Sequence, residues 1–295
     1  MKTLIDERRF RAMRSNVAAR SAIGSAWWLG SALALAASIA MLFALFWFVL
    51  VRGVPALRPE IFVTVTNGIS GGLANAIVGT FMLVLGGLVL VMIVGVGSGI
   101  WLTAFAGPRM VEVTRFLTDV LSGVPSIVVG YFGYVVLLGY LGWGFSLAAG
   151  AIALAIIMLP YVVRGTDLAL SAVPQELREG ALALGSSTSR SMFMVCLPSA
   201  MPGILTSVLL AVSIALGETA PLIYTAGWSN YMPSAAPFHS PVGYLTYVVW
   251  TFINQPFAQS HALAYAAAVI LMAVIFLTNV VARTVVDVAA QRLRG

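Results

Sequence analysis

One carboxylate, that of Glu218, lies in a long apolar stretch, in the run Gly217-Glu218-Thr219-Ala220-Pro221-Leu222. In a continuous helix it would sit about 22 Å along the axis from Gly203. A charge in hydrocarbon costs roughly 2.5–3.5 kcal/mol on insertion scales and normally faces a partner or a wet cavity. Pro221 has no N–H, so the carbonyl of Gly217 loses its helical donor. The pattern favours a pathway residue, while a buried ion pair or a protonated structural glutamate would also explain it.

No constellation for covalent, metal or nucleotide chemistry accompanies Glu218 in the sequence. The single cysteine, Cys196, excludes an intrachain disulfide, and the two histidines, His239 and His261, form no HExxH-type metal motif. The chain has no Gly-x-x-x-x-Gly-Lys-Ser/Thr run, so it does not bind ATP through a P-loop. We therefore expect a non-catalytic chain without a cofactor.

A second polar stretch, residues 165–198, interrupts the apolar sequence with charged, serine and threonine residues. After Pro174 the apolar positions recur at i, i+4 and i+7, namely Leu177, Ala181 and Leu184. This spacing predicts an amphipathic helix. Pro174 suits its first position and Gly185 its end. Such a helix either lies on the membrane surface as a connector or is bound by a partner protein.

The composition decides which elements must position these residues. Hydrophobic residues make up 60% of the chain, charged residues only 9%, and the mean hydropathy is +0.99. Soluble domains carry about 25% charged residues, so the sequence predicts an integral membrane protein. Six apolar runs are each about long enough to cross a bilayer; they are 27–51, 75–105, 117–139, 145–163, 200–224 and 262–282. We expect an all-α fold of six transmembrane helices in one domain.

The basic residues predict the orientation of these spans. All but two of the 16 Lys and Arg residues precede the first span or follow the second, fourth and sixth. The exceptions are Arg52 and Arg58. Basic loops stay on the cytoplasmic side, so both termini and the 165–198 loop are expected there. The basic N-terminal arm, 1–26, then faces anionic lipid rather than nucleic acid, and 285–295 forms a cytoplasmic tail.

Three further features lie at span ends. Gly123 and Pro125 predict a kink in the third span, because proline removes a helical donor. Asp119 is expected to pair with Arg115, one turn away on the same helix. Arg164, at the end of the fourth span, either extends to the interface or lines a pathway.

The outer segment from Trp228 to His261 contains no Lys, Arg, Asp or Glu but many aromatic residues. Aromatic residues are typical of a membrane–water interface. The run Val242–Phe252 is expected to form a short helix lying flat on the outer face.

Several of these stretches resemble the permease subunits of bacterial phosphate ABC importers, of the A type. The similar segments are Leu-Ser-Gly-Val-Pro-Ser at 121–126, Leu159-Pro160, Arg164, Val173-Pro174 and Gly-Glu-Thr-Ala-Pro-Leu at 217–222. The 165–198 loop resembles the EAA loop of ABC-importer permeases, with Gly180 and Val195 as its departures. The resemblance implies a type I permease fold of residues 27–284 with a cytoplasmic coupling helix.

The resemblance also implies site residues. Coupling to the ATPase would involve Glu179, Gly180, Ala181, Gly185, Leu197 and Pro198. The translocation pathway would involve Ser122, Pro125, Ser126, Arg164, Glu218, Thr219 and Pro221. Many phosphate permeases carry an arginine about one turn before Gly-Glu-Thr, where this chain has Ser213-Ile214-Ala215-Leu216. A cation for the anion must then come from Arg164 or from a partner chain.

The implied partners are a homologous second permease, two cytoplasmic ABC ATPase subunits and an extracytoplasmic phosphate-binding protein, assembled in the bacterial plasma (inner) membrane. Three alternatives stay open from the sequence. One is an ABC permease for another oxyanion, such as sulfate, molybdate or phosphonate. The second is a secondary transporter or channel, which would explain Glu218 and six spans but not the spacing of the loop. The third is a membrane-embedded enzyme, which would need a nucleophile–base or metal constellation that the sequence does not offer.

Overall fold

The computed structural model describes the backbone of residues 2–234 and 236–292, and the side chains of 23–234 and 236–284. The chain divides into two units, one ending at Val51 and the other beginning at Arg52. Helix α1, Lys2–Gly53, accounts for the first unit, so the predicted arm and first span share one continuous helix. The side chains of 1–22 and of the predicted tail, 285–295, lie outside the described residues.

The second unit is helical apart from one small hairpin and the connecting loops. The hairpin pairs β1 (Thr66–Asn67) with β2 (Ser70–Gly71) in antiparallel register, Thr66 opposite Gly71. The helices are α2 (Pro59–Val63), α3 (Ala74–Ala104), α4 (Pro108–Ser122), α5 (Ser126–Tyr140), α6 (Leu147–Ser171), α7 (Gln175–Ala183), α8 (Thr188–Gly217), α9 (Ala220–Thr225), α10 (Leu245–Phe252) and α11 (Ala258–Arg292).

Within the described residues, five helices are long and apolar enough to cross a membrane: Ile23–Ala56, α3, α6, α8 and Ala258–Thr284. A sixth crossing exists if α4 and α5 act as one span, and these two helices meet at 96°. The predicted kink is therefore a full break. Pro125 lacks an N–H and disfavours helical geometry in the residue before it. The chain leaves α4 through single-turn bonds, such as Val124 N–H to Leu121 O, and re-enters a helix at Ser126.

Helix α6 is the central element of the second unit. Its residues Leu154, Met158 and Val162 are fully buried. Small residues bring neighbouring helices very close, as membrane helices require: a Cβ added to Gly165 would lie 2.1 Å from Cβ of Ser207 on α8. The helix continues past the predicted end at 163 to Ser171, because the charged residues of its last turns find partners on α4.

The predicted fifth span, 200–224, is also divided. Helix α8 begins earlier, at Thr188, contains a π-helical turn over Met192–Cys196, and ends at Gly217. Helix α9 then starts at Ala220. The expectation that Glu218 lies inside one continuous helix is wrong, because Glu218 occupies the break itself.

Candidate functional site

Glu218 sits at a helix break with a defined hydrogen-bond pattern. Its backbone is extended, with φ −71° and ψ 134°. Its N–H donates to the carbonyl of Ala215 at 3.2 Å, which closes the last turn of α8. Its own carbonyl accepts from Thr246 Oγ1 at 2.7 Å. Pro221 falls in the first turn of α9, where a missing N–H costs no helical bond.

The Glu218 side chain borders a cavity of about 200 Å³ between α4, α5 and α6. The lining residues are Leu121, Ser122, Val124, Ser126, Val129, Ile156, Ile157, Tyr161 and Glu218. Ser126 and Glu218 both line this cavity. The cavity therefore offers three hydroxyl groups, those of Ser122, Ser126 and Tyr161, and one carboxylate, on otherwise apolar walls. We call it the Glu218 cavity.

The cavity gathers three of the residues singled out in the sequence, Ser122, Ser126 and Glu218, and leaves the other four outside its lining. Pro125 lies between two lining residues and sets the turn that carries them. Pro221 packs against α5, where a Cβ on Gly130 would lie only 2.5 Å from Pro221 Cα. This close approach holds α9, and the break before it, against the wall of the cavity.

Arg164 belongs to an ion-pair network between α4 and α6. Its guanidinium lies 3.4 Å from Asp119 and 4.0 Å from Asp167. Arg115 binds Asp167 through two bonds, Nε to Oδ2 at 2.9 Å and Nη2 to Oδ1 at 3.0 Å. The expected pairing of Arg115 with Asp119 is therefore wrong: each of these residues reaches across to α6 instead. The planar guanidinium matches a carboxylate in this two-bond geometry, which a neighbour on its own helix rarely offers.

The network lies beside one end of the Glu218 cavity. Arg164 follows the lining residue Tyr161 by three positions on α6, about 4.5 Å along the axis and on the same face. Asp119 precedes the lining residue Ser122 by three positions on α4. The Asp119–Arg164 pair thus lies about one turn beyond lining residues on both helices, on the side of Tyr161 that leads to the α6–α8 loop.

Asp167 is the residue that the sequence reasoning missed. Its side chain is only 2% exposed, and Thr103 Oγ1 lies 3.4 Å from its Oδ1. Ending the fourth span at residue 163 placed Asp167 in a loop and hid its role. The spacing of Arg164 and Asp167, three apart on one helix face, was the available signal.

Helix α7 matches the helix predicted in the polar stretch. Pro174 precedes its first residue, and Gly185 ends it with φ +81°. The N–H of Ser186 bonds the carbonyl of Ala181 at 3.1 Å, and that of Gly185 bonds Leu182 at 2.9 Å. These two bonds form a Schellman cap, which needs a residue that tolerates positive φ.

The surface of α7 is uncovered. All nine residues of the helix are described and none is buried; Leu184, just beyond it, is 90% exposed. Glu179 is exposed and accepts a bond from Gln175 Nε2 at 2.6 Å. By contrast, Leu197 packs against the core at the start of the regular part of α8. The motif thus divides into an exposed helix around Glu179 and a packed residue, Leu197, which the exposed Pro198 follows.

Comparisons with known proteins agree with this architecture. Residues 95–295 match the family "Binding-protein-dependent transport system inner membrane component". The "Phosphate transport system permease protein PstA 2" of Mycobacterium bovis is 42% identical over 272 residues, 92% of this chain and 90% of that protein. The "Phosphate transport system permease protein PstA" of Pasteurella multocida is 39% identical over 258 residues, 83% of this chain and 90% of that protein.

A likeness to a solved structure supports the fold alone. An inward-facing structure of the MetNI methionine ABC transporter superposes with a TM-score of 0.61 at 15% identity, over 74% of this chain and 95% of that one. The family match over residues 95–295 and the relatives at 42% and 39% identity show the family of this chain. The chain belongs to the family of binding-protein-dependent transport system inner membrane components, the permeases of ABC importers.

Proposed function

We propose that this chain is the transmembrane permease subunit of an ATP-driven phosphate import complex. It forms half of the translocation pathway and couples to the ATPase through α7. The relatives that match most of its length are named phosphate transport permeases. Their names favour phosphate over sulfate, molybdate or phosphonate, and an ABC permease over a secondary transporter or channel.

The coupling role is supported by one observation: α7, between the membrane spans α6 and α8, is exposed and has a defined C-terminal cap. A connector packed on its own chain would bury its apolar stripe there. Here Leu177 and Leu184 are both exposed, so the described part of the chain does not cover them, and the Schellman cap fixes how the helix ends. A helix held in this way transmits a push from a bound ATPase into α6 and α8, the spans on either side of it. Glu179, Gly180, Ala181 and Gly185 would form the contact surface. Leu197 would anchor it in the core, and Pro198, exposed beside Leu197, would complete the coupling motif.

The pathway role rests on the Glu218 cavity. Its hydroxyl groups can donate to phosphate oxygens, and the carboxylate of Glu218 can accept the hydrogen of a protonated phosphate. Sulfate at neutral pH carries no such hydrogen. Arg164, one turn beyond the lining residue Tyr161 on α6, would supply a cation, while Thr219, Pro125 and Pro221 would shape the walls. The Asp119–Arg164 pair, about one turn beyond the lining residues of α4 and α6, would have to separate for an anion to leave towards α7.

The complete importer needs chains beyond this one. A homologous second permease would complete the pathway, two ABC ATPase subunits would bind on the cytoplasmic side, and a phosphate-binding protein would deliver the anion outside. The distribution of basic residues supports a bacterial inner-membrane protein with both termini in the cytoplasm. Residues 27–284 would form the permease domain, between the basic arm at 1–26 and the tail at 285–295. The chain itself would catalyse no reaction, hold no cofactor and bind no nucleic acid.

The proposal is tested by transport in lipid vesicles that contain the assembled complex, with the binding protein added outside and ATP inside. We expect uptake of labelled phosphate that stops when ATP is omitted. A tenfold excess of unlabelled sulfate, molybdate or phosphonate is expected to leave the rate unchanged. Competition by one of these anions at equal concentration would make it the substrate, and uptake without ATP would make the protein a secondary transporter.

Glu218→Gln is expected to lower the phosphate uptake rate about tenfold at normal protein abundance. A hydrogen bond to a charged group is worth about 1.5–3 kcal/mol, and 1.4 kcal/mol corresponds to a factor of ten. The amide also donates, so sulfate is expected to compete in this variant. The matched control is Glu112→Gln, which neutralises an exposed carboxylate on α4 and is expected to transport normally. Equal uptake by Glu218→Gln and wild type would reduce Glu218 to a structural residue.

A further inference from the structure

The carbonyl of Glu218 is held by a residue from a distant part of the chain. Thr246 lies 28 positions later, in the first turn of α10, and its Oγ1 donates to this carbonyl at 2.7 Å. The Thr246 side chain is buried, with 5% of the residue exposed. The bond therefore joins the short helix α10 to the one residue whose carboxylate borders the cavity.

The bond matters because of the conformation of Glu218. An extended residue turns its carbonyl away from the α8 ladder, so the group needs a donor from elsewhere. Leaving a buried carbonyl unpaired costs about 1–3 kcal/mol. The Thr246 hydroxyl thus stabilises the break and, through the backbone, sets the direction of the Glu218 side chain.

Helix α10 is well anchored on its inner side. The Leu245 N–H donates to Thr80 Oγ1 of α3 at 2.9 Å, and the ring of Tyr247 stacks on Trp228 with centroids 4.5 Å apart. Leu245, Val248 and Phe252 are buried. Trp250 on the same helix is 62% exposed. The helix therefore has an exposed surface at Trp250 and, on its packed side, the bond to Glu218.

We propose that Thr246 is a positioning residue for the Glu218 cavity, and that its hydroxyl transmits displacements of α10 to the Glu218 carboxylate. In the proposed topology α10 lies on the outer face, so a protein that presses on Trp250 changes the orientation of Glu218 through this bond. The transport part of the inference rests on the proposed function; the positioning part concerns the chain alone.

Three variants in the assembled complex test the role. Thr246→Val keeps the shape and removes the donor, and Thr246→Ser keeps the donor. Thr278→Val is the control, because the Thr278 hydroxyl donates within its own helix to Val274 O at 2.8 Å. We expect Thr246→Val to lower the maximal phosphate uptake rate at least fivefold and to raise the ATP hydrolysed per phosphate transported. Thr246→Ser and Thr278→Val should stay within twofold of wild type.

A second measurement does not depend on transport. Amide hydrogen exchange of residues 215–225 in the same complex reports how often the break opens. We expect faster exchange in Thr246→Val and wild-type exchange in Thr246→Ser. Absence of phosphate uptake by wild-type vesicles would contradict the proposed function. The hydrogen-exchange result would still decide whether Thr246 positions Glu218. Unchanged exchange in Thr246→Val, or an effect of Thr246→Ser as large as that of Thr246→Val, would overturn the inference.

Discussion

Glu179→Lys is expected to abolish ATP-driven phosphate uptake and the stimulation of the ATPase by the loaded binding protein, with normal amounts of inserted chain. Glu179 is exposed on α7, and its side chain accepts a hydrogen bond from Gln175. Lysine and glutamate have similar helix propensities, so the helix itself should persist. The change reverses a charge on a surface that the proposal assigns to the ATPase contact, and like charges brought together across an interface cost several kcal/mol.

The matched control for this variant is Gln175→Ala, which removes the partner of Glu179 and leaves its charge. Uptake close to wild type is expected, because the bond lies on an exposed surface. Vesicle uptake and ATPase rate are measured at equal amounts of complex, and a crosslinker placed at Gly180 identifies the bound protein. Normal uptake by Glu179→Lys, or crosslinking to a protein other than the ATPase, would contradict the coupling assignment.

Arg115→Ala is expected to lower the stability of the chain strongly. It leaves the buried Asp167 carboxylate with only Thr103 at 3.4 Å and Arg164 at 4.0 Å. Removing one partner of a buried ion pair typically costs about 3–5 kcal/mol. Because the Arg115 side chain is 42% exposed, we expect the lower end of that range, and a clear fall in both abundance and thermal unfolding temperature in detergent.

A second substitution separates the unpaired charge from the lost packing. Asp167→Asn in the Arg115→Ala background removes the buried charge, and the amide can still bond Thr103. We expect this double variant to recover most of the lost abundance. Arg109→Ala, which truncates an exposed arginine on the same helix, is the control and should behave like wild type. A double variant no more stable than Arg115→Ala would show that Asp167 is not held as a charged group.

Features governed by neighbours in sequence were predictable. The end of α7 at Gly185 follows from a backbone conformation that glycine adopts easily, and the start after Pro174 from the fixed φ of proline. The second span was placed to within one residue at each end, because its length and apolar character are properties of the segment alone. The family also followed from local runs, and the comparisons confirmed it. The roles of the individual site residues stay predictions.

Features that depend on contacts between helices could not be predicted from the sequence. Sequence reasoning ended the fourth span at 163, since Arg164 is costly in hydrocarbon by itself. The structure continues the helix to Ser171 because Arg115 and Asp119 of α4 neutralise that cost. The four-residue spacing of Arg115 and Asp119 predicted a pair within α4, and this was wrong. The Arg115 guanidinium instead makes two bonds to the Asp167 carboxylate on α6, a stronger arrangement than a single bond.

The sequence by itself determined that this protein lies in a membrane, roughly where its chain crosses, and which loop carries an exposed helix. Those properties follow from composition, hydrophobic length and turn residues. Only the tertiary structure decided that Pro125 produces a 96° break and that Glu218 stands at a second one. A proline weakens a helix locally, but how far the chain then turns depends on what receives the freed groups. Here the Thr246 hydroxyl, 28 residues away, donates to the Glu218 carbonyl. No local sequence pattern could have identified this donor.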